Sequence, residues 1–342
     1  MSFAFRDLRA LSPGCFALVM ATGIVGVATE HIGLHGIARG LLWLNAGQYL
    51  LLWGLTLLRC WRHPRELRAD LANHTRAPGF FTMIAATGVL AEQLVLQCQA
   101  WRIASGLWGF ALLLWVGITY TIFTALMIKA NKPPLERGIS GNWLLTVVAT
   151  QAIAVLSAQL APRFSAGVQD GVTFLALGMW LCGALGYGVW ITLIFHRCLF
   201  YSFSPRDLSP DYWINMGALA ISTLAGSALI GEATQSEVLA ALRPFLAGAT
   251  VLFWAGGTWW IPLLLLLTLW RHGWQRMPLA YDPAYWSAVF PLGMYAASTF
   301  DLARVMHLDF LRPVAHTFVY LGLAAWLLTF LGMLHRLVRP QP

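Results

Sequence analysis

The chain has 342 residues, 58% of them hydrophobic and only 11% charged, with 17 tryptophans; ordinary soluble domains carry about 25% charged residues. That balance excludes a soluble globular domain and describes an all-α polytopic membrane protein, with no stretch long enough for a separate soluble unit. The net charge of +8 does not mark a nucleic-acid binder, because the basic residues are spread through short loops rather than gathered on one face.

Apolar runs able to cross about 30 Å of hydrocarbon fall near 13–33, 39–60, 78–97, 104–129, 142–161, 171–197, 210–230, 245–270, 284–303 and 313–335. Arg6 and Arg9 precede the first run, as in a secretion signal. No small-x-small cleavage site precedes Glu30, so it reads as a retained helix. Ten spans put both termini on one side. The termini and the loops after even spans hold 16 of the 22 Lys and Arg; the other side has Arg39, Arg102, Arg163, Arg243, Arg304 and Arg312. Both termini are therefore expected in the cytoplasm. Cys15, Cys60, Cys98, Cys182 and Cys198 show no paired spacing and read as small packing residues.

The odd spans repeat. "SPGCFALVMATGI" opens the first and "APGFFTMIAATGV" the third; the fifth opens "SGNWLLTVVATQA", the seventh "SPDYWINMGALA" and the ninth "DPAYWSAVFPLG". Anchored on Phe16, Phe81, Trp143, Trp213 and Trp286, the spacings are 65, 62, 70 and 73 residues, the length of one helical hairpin. Five hairpins, near 11–62, 76–130, 140–198, 209–271 and 282–336, then form one domain over 1–342. Repeated hairpins close into a ring, with odd helices inside and even helices outside. Ser12, Ser209 and Asp282 are expected to cap helix starts, with proline next.

Positions i, i+4 and i+7 share a helix face. From each anchor, i+4 holds Met20, Ala85, Val147, Gly217 and Phe290; i+7 holds Gly23, Gly88, Thr150, Ala220 and Gly293. With this face inward, small residues line the axis and Phe290 projects into it. Small residues equally mark close helix packing with no pore, and periodicity does not separate the two. No Lys or Arg falls near the middle of a span, which argues against a carrier gripping a dianion in a dry cationic site. Weak attraction remains available from helix-start amides, ring edges and hydroxyls such as Thr22, Thr87 and Thr150. Glu30, Glu92, Glu232 and Asp301 lie towards the outer ends of odd spans. Glu92 and Asp301 are the candidate proton-binding groups of a coupled carrier. Glu30, His31 and His35, with His307, Asp309 and His316, raise a metal site as a remote reading. Gly33 and Gly36 instead mark a helix end there, and the balance favours no metal and no catalytic constellation.

The "F-x-x-x-M-A-T-G-I" start at residues 13–24 and "SAVFPLGMYAAS" within 284–299 resemble the tellurite-resistance/dicarboxylate transporter family. It includes bacterial TehA-type and plant slow anion channels, fungal sulfite pumps and malate permeases. The resemblance covers nearly the whole chain. It implies a homotrimer in a bacterial inner membrane, each protomer with its own anion pore, and no cofactor. It also implies that Phe290 occludes the pore, with Pro291 kinking the helix to steer the ring inward. The leading expectation is a phenylalanine-gated anion channel; the alternative is a proton-coupled carrier of dicarboxylates or sulfite. The termini are too short for the phosphorylated tails of the plant channels.

Overall fold

In the computed structural model, which describes residues 8–338, ten long helices follow in sequence. They are α1 (Ala17–His31), α2 (His35–Arg62), α3 (Phe81–Cys98), α4 (Trp101–Ile128), α5 (Leu145–Leu160), α6 (Ala166–Phe200), α7 (Ile214–Gly231), α8 (Glu237–Leu269), α9 (Trp286–Met306) and α10 (Arg312–Val338). Among the described residues, nine have both the length and the apolarity to cross a membrane. α9 has the length but is more polar, carrying Ser298, Thr299, Asp301 and Arg304. The outer helices run longer than the apolar runs suggest; α6 alone has 35 residues.

Burial sorts the helices into two layers. The apolar windows of the first four odd helices are 83%, 89%, 94% and 89% buried; those of the even helices are 39%, 17%, 22%, 17% and 17% buried. α9 is buried along most of its length. In the inner layer α1 packs on α3, α3 on α5, α5 on α7, α7 on α9, and α9 back on α1. Each even helix packs on the odd helix before it. An odd helix buried all round thus needs no polar face, while an even helix leaves its apolar side for lipid.

Proline and glycine fix where the inner helices begin. Each is entered through a 3-10 turn: Pro13–Phe16, Ala77–Phe80, Gly141–Leu144, Pro210–Trp213 and Pro283–Tyr285. Consecutive turns pack on one another at the same end of the ring. The contact is backbone on backbone. A Cβ on Gly79 would stand 2.7 Å from Gly14 N, and one on Gly141 would stand 2.4 Å from Asp211 O. The repeated glycine is therefore a requirement of close approach. Ser12 Oγ accepts from Gly14 N at 3.2 Å and Asp282 Oδ1 from Ala284 N at 2.8 Å, as capping requires. Ser209 does not cap; its hydroxyl donates instead to Asp211 Oδ2 at 3.2 Å.

A cyclic hydrogen-bond pattern ties the layers together. Tyr49 on α2 bonds Thr87 on α3 at 2.9 Å, and Trp115 on α4 donates to Thr150 on α5 at 2.9 Å. Trp180 on α6 donates to the Ser222 carbonyl on α7 at 2.9 Å, and Trp254 on α8 to Thr299 on α9 at 3.0 Å. Trp326 on α10 donates to Thr22 on α1 at 3.0 Å, completing the circuit. In every repeat an aromatic donor of the outer helix holds the inner helix of the next repeat.

Candidate functional site: the axis of the inner ring

Because the odd helices all begin at one end, five helix N-termini surround the same space. A cavity of about 330 Å³ opens there, lined from all five entry turns by Ser12, Gly79, Asn142, Asp211 and Asp282 among others. Each N-terminus carries the positive end of a helix dipole, about half an elementary charge, although Ser12 and Asp282 already cap amides of the first and last turns. The charged side chains of the lining are Arg76, Asp211 and Asp282. Arg76 is already paired: its Nε lies 2.5 Å from Asp70 Oδ1. Asp70 Oδ2 also accepts from Arg59 at 2.7 Å. Arg59 is 2% exposed and reaches the Arg9 carbonyl at 3.0 Å, pinning the first turn to this end of the ring. The lining thus offers no unpaired cation: the helix dipoles favour an anion at this mouth, and the carboxylates of Asp211 and Asp282 oppose it. Arg59 entered the sequence reading only as one of the loop cations and Asp70 not at all; only their joint burial reveals them.

The structure divides the candidate axial residues into two sets. On α9, Tyr295 stacks on Trp254 of α8, and Thr299 bonds the same indole. Nine residues at about 100° each put Phe290 on the opposite side of the helix from Thr299. That side also carries Ser287, which lines the cavity, then Met294 and Asp301. Phe290 is 1% exposed. Next to it, Pro291 packs into the space left by Gly217, where a Cβ would stand 2.7 Å from the proline Cγ. Met20 and Ala85, both buried, fall on the corresponding sides of α1 and α3.

The other set faces neighbouring helices. Phe16 contacts Tyr49 and Trp53 of α2. Phe81, Val147 and Thr150 border a crevice between α4 and α6, and Trp143 stacks on Trp190 of α6 at 4.5 Å. The bonds to Tyr49, Trp115 and Trp326 make Thr87, Thr150 and Thr22 equivalent. Residues two earlier then align as Met20, Ala85 and Val148, so the Trp143 anchor runs one residue out of register. Val147 is accordingly turned outward, and the three hydroxyls are engaged by outer helices instead of facing an anion. Gly23 lies against Val89, Asn45 and Gln93, Gly88 against Ala152, Gly217 against Pro291, and Gly293 against Ile24 and Val25. These four glycines are close-packing positions. Ala220 is buried on α7.

At the far end, the same stripes finish in ionisable groups. Glu92 is seven residues beyond Ala85, and His31 and Asp301 are each eleven beyond Met20 and Phe290, on nearly the same faces. Glu92 senses Asp301 electrostatically and meets the Gln159 amide of α5; His31 senses Asp301, Arg304 and Glu30. Arg304 bonds Asp301 at 2.5 Å, and His31 stacks on Phe300. Glu92 and Asp301, from distant parts of the chain, thus lie within electrostatic reach of each other. The histidines of "EHIGLH" are separated: His31 ends α1 and His35 begins α2, with Gly33 at φ 81° between them. Two turns of one helix do not exist there. His35 instead bonds Glu30 at 2.8 Å, and no group of three ligating side chains occurs among the described residues.

The chain matches the voltage-dependent anion channel family model over residues 10–334. It is 40% identical over 146 residues to an uncharacterised membrane protein of Mycobacterium tuberculosis, covering 43% of this chain and 74% of that protein. It is 22% identical to an uncharacterised transporter of Methanocaldococcus jannaschii, covering 94% and 93%. A sulfite efflux pump of Trichophyton rubrum is 25% identical, covering 93% and 88%. With relatives named for transport and an all-helical apolar fold, the protein is an integral membrane anion transporter or channel, not an enzyme. The chain belongs to the voltage-dependent anion channel family.

Proposed function

We propose that the chain is a passive channel for small anions whose axial path is closed by Phe290. The carrying observation is the position of that ring: buried, on the side of α9 away from the outer helices, one turn beyond Ser287 at the inner edge of the cavity. Pro291 has no N–H for the Ser287 carbonyl, which leaves α9 free to bend where the ring is held. The dipoles of the five converging N-termini would draw an anion towards the plug, and the carboxylates of Asp211 and Asp282 would keep it from being trapped there. Selection would follow dehydration cost and favour weakly hydrated anions. The paired state of Arg76 also favours passage over tight retention. The ten helices would all cross the bilayer, α9 shielded by its apolar neighbours α1, α7, α8 and α10, with the termini cytoplasmic by the charge bias. Chloride and nitrate currents through the purified protein, wild type beside Phe290→Ala, test the reading.

A second reading, proton-coupled export of sulfite or a small dicarboxylate, is favoured by the meeting of Glu92 and Asp301 with His31 at the far end of the axis. The sulfite efflux pumps among the relatives point the same way. It requires saturable transport driven by a pH gradient and lost in Glu92→Gln or Asp301→Asn. Transport indifferent to the gradient in both variants removes it. Trimer formation, implied by the family resemblance, is tested by the mass of the detergent-solubilised particle.

A further inference from the structure

The outer helices α4 and α6 do not pack on each other along their length; α5 forms the floor between them. Two cavities lie along this crevice and meet at Phe123 and Trp190, whose rings stack across it with centroids 6.1 Å apart. A deep part of about 140 Å³ reaches Gly183 and Gly186, and a shallower part of about 370 Å³ opens at the end where the inner helices begin. Phe123 and Trp190 border both parts. Glycines on α6 make the deep part: Gly186 has only a Val147 methyl at 3.6 Å from where its Cβ would be.

The open end is basic. His74 and Lys132 border it beside Met127 and Trp143. Lys129 Nζ donates to the Ala72 carbonyl at 2.8 Å, and both ammonium groups act electrostatically on His74. Burial, and then these two charges, hold the His74 imidazole below its ordinary range. No carboxylate contributes there, and neither lysine joins an ion pair among the described residues. A narrow apolar slot ending in uncompensated positive charge at the height of an interfacial tryptophan pair matches one kind of molecule.

We propose that this crevice is a binding site for an anionic phospholipid, one acyl chain lying between α4 and α6 over α5 and the phosphate held by Lys132, Lys129 and His74. The site is distinct from the axis but touches it. Trp143 stacks on Trp190 inside the crevice, while its neighbour Asn142 lines the axial cavity.

The test uses the full chain, delipidated in detergent, with phosphatidylglycerol or phosphatidylcholine of identical acyl chains added. Bound lipid is counted by native mass spectrometry and melting is followed in parallel. Phosphatidylglycerol is expected to bind more tightly and to raise the melting temperature further. Lys132→Gln should cut that preference by about fivefold, the weight of one interfacial lysine. Gly186→Leu, which fills the deep part, should lower the number of retained lipids of both kinds. Equal binding of the two lipids to the wild type overturns the proposal without recourse to any variant. So does a headgroup preference unchanged in Lys132→Gln, or lipid retention unchanged in folded Gly186→Leu.

Discussion

The indole of Trp326 donates to the hydroxyl of Thr22 at 3.0 Å across 304 residues of chain, joining the last helix to the first. It is the closing member of the circuit in which each outer helix holds the next inner one. Gly293 against Ile24 and Val25 makes the matching closure in the inner layer. Both are far apart in sequence, so the ring is completed only when the last hairpin docks.

Trp326→Phe keeps an aromatic ring but removes the donor and part of the indole's volume. It should cost at least about 0.6–1.5 kcal/mol, the range for an interhelical hydrogen bond in membranes, with the lost packing added to it. Trp115→Phe should cost a similar amount, because Trp115 plays the same part towards Thr150. Thermal unfolding in detergent compares them; a loss confined to one position contradicts the cyclic equivalence.

Gly79→Ala forces a methyl against the Gly14 backbone, which cannot yield as a side-chain tip would. Overpacking of this kind costs about 1–3 kcal/mol. Gly36→Ala meets nothing within 4 Å on α2 and should instead be neutral or stabilising, by up to about 1 kcal/mol. Melting temperatures of the two variants should move in opposite directions or differ widely.

Asp70 faces Arg59 and Arg76 together. Asp70→Ala leaves the Arg59 guanidinium buried without its partner, a loss of about 3–5 kcal/mol for pairs of this type. Substituting Arg76, whose side chain is 39% exposed, should cost far less. Expression and melting of the two variants check the order.

Asp207 sits in the loop after α6, outside the helices. Hydrogen bonds from the Ser204 hydroxyl and amide, with Arg197 nearby, hold its carboxyl below the ordinary carboxylate range. A depressed folded-state value contributes stability that is present above the unfolded value and is lost as pH falls through the folded one. Asp207→Asn should therefore melt lower than wild type near about pH 7, and the gap should close as pH falls from the ordinary carboxylate range through the lower folded-state value. A gap independent of pH contradicts this origin.

The two-layer fold was legible in the chain because lipid imposes it: buried helices are apolar all round, and hairpin length shows as the spacing of Pro-Gly and aromatic starts. Phe290 stood out for a related reason, an aromatic ring before a proline where the matching positions hold Met20, Ala85, Val147 and Gly217. What stayed hidden was direction. Two faces of an inner helix, one on the axis and one on the outer layer, are equally apolar, so periodicity alone placed Val147 and Thr150 wrongly. The indole bonds to Thr22 and Thr150 settle that register, and no local spacing encodes them. The burial of Arg59 and the electrostatic influence of Asp301 on Glu92 are tertiary facts of the same kind.

The central claim is that Phe290 closes an anion path, and single-protein current in planar bilayers tests it most directly. Chloride and nitrate currents should be small in wild type and at least about tenfold larger in Phe290→Ala, a barrier lowered by about 1.4 kcal/mol. Phe290→Leu, gentler on packing, should fall between them. Folded variants whose anion currents match the wild type would contradict the claim and leave the coupled-carrier reading in its place.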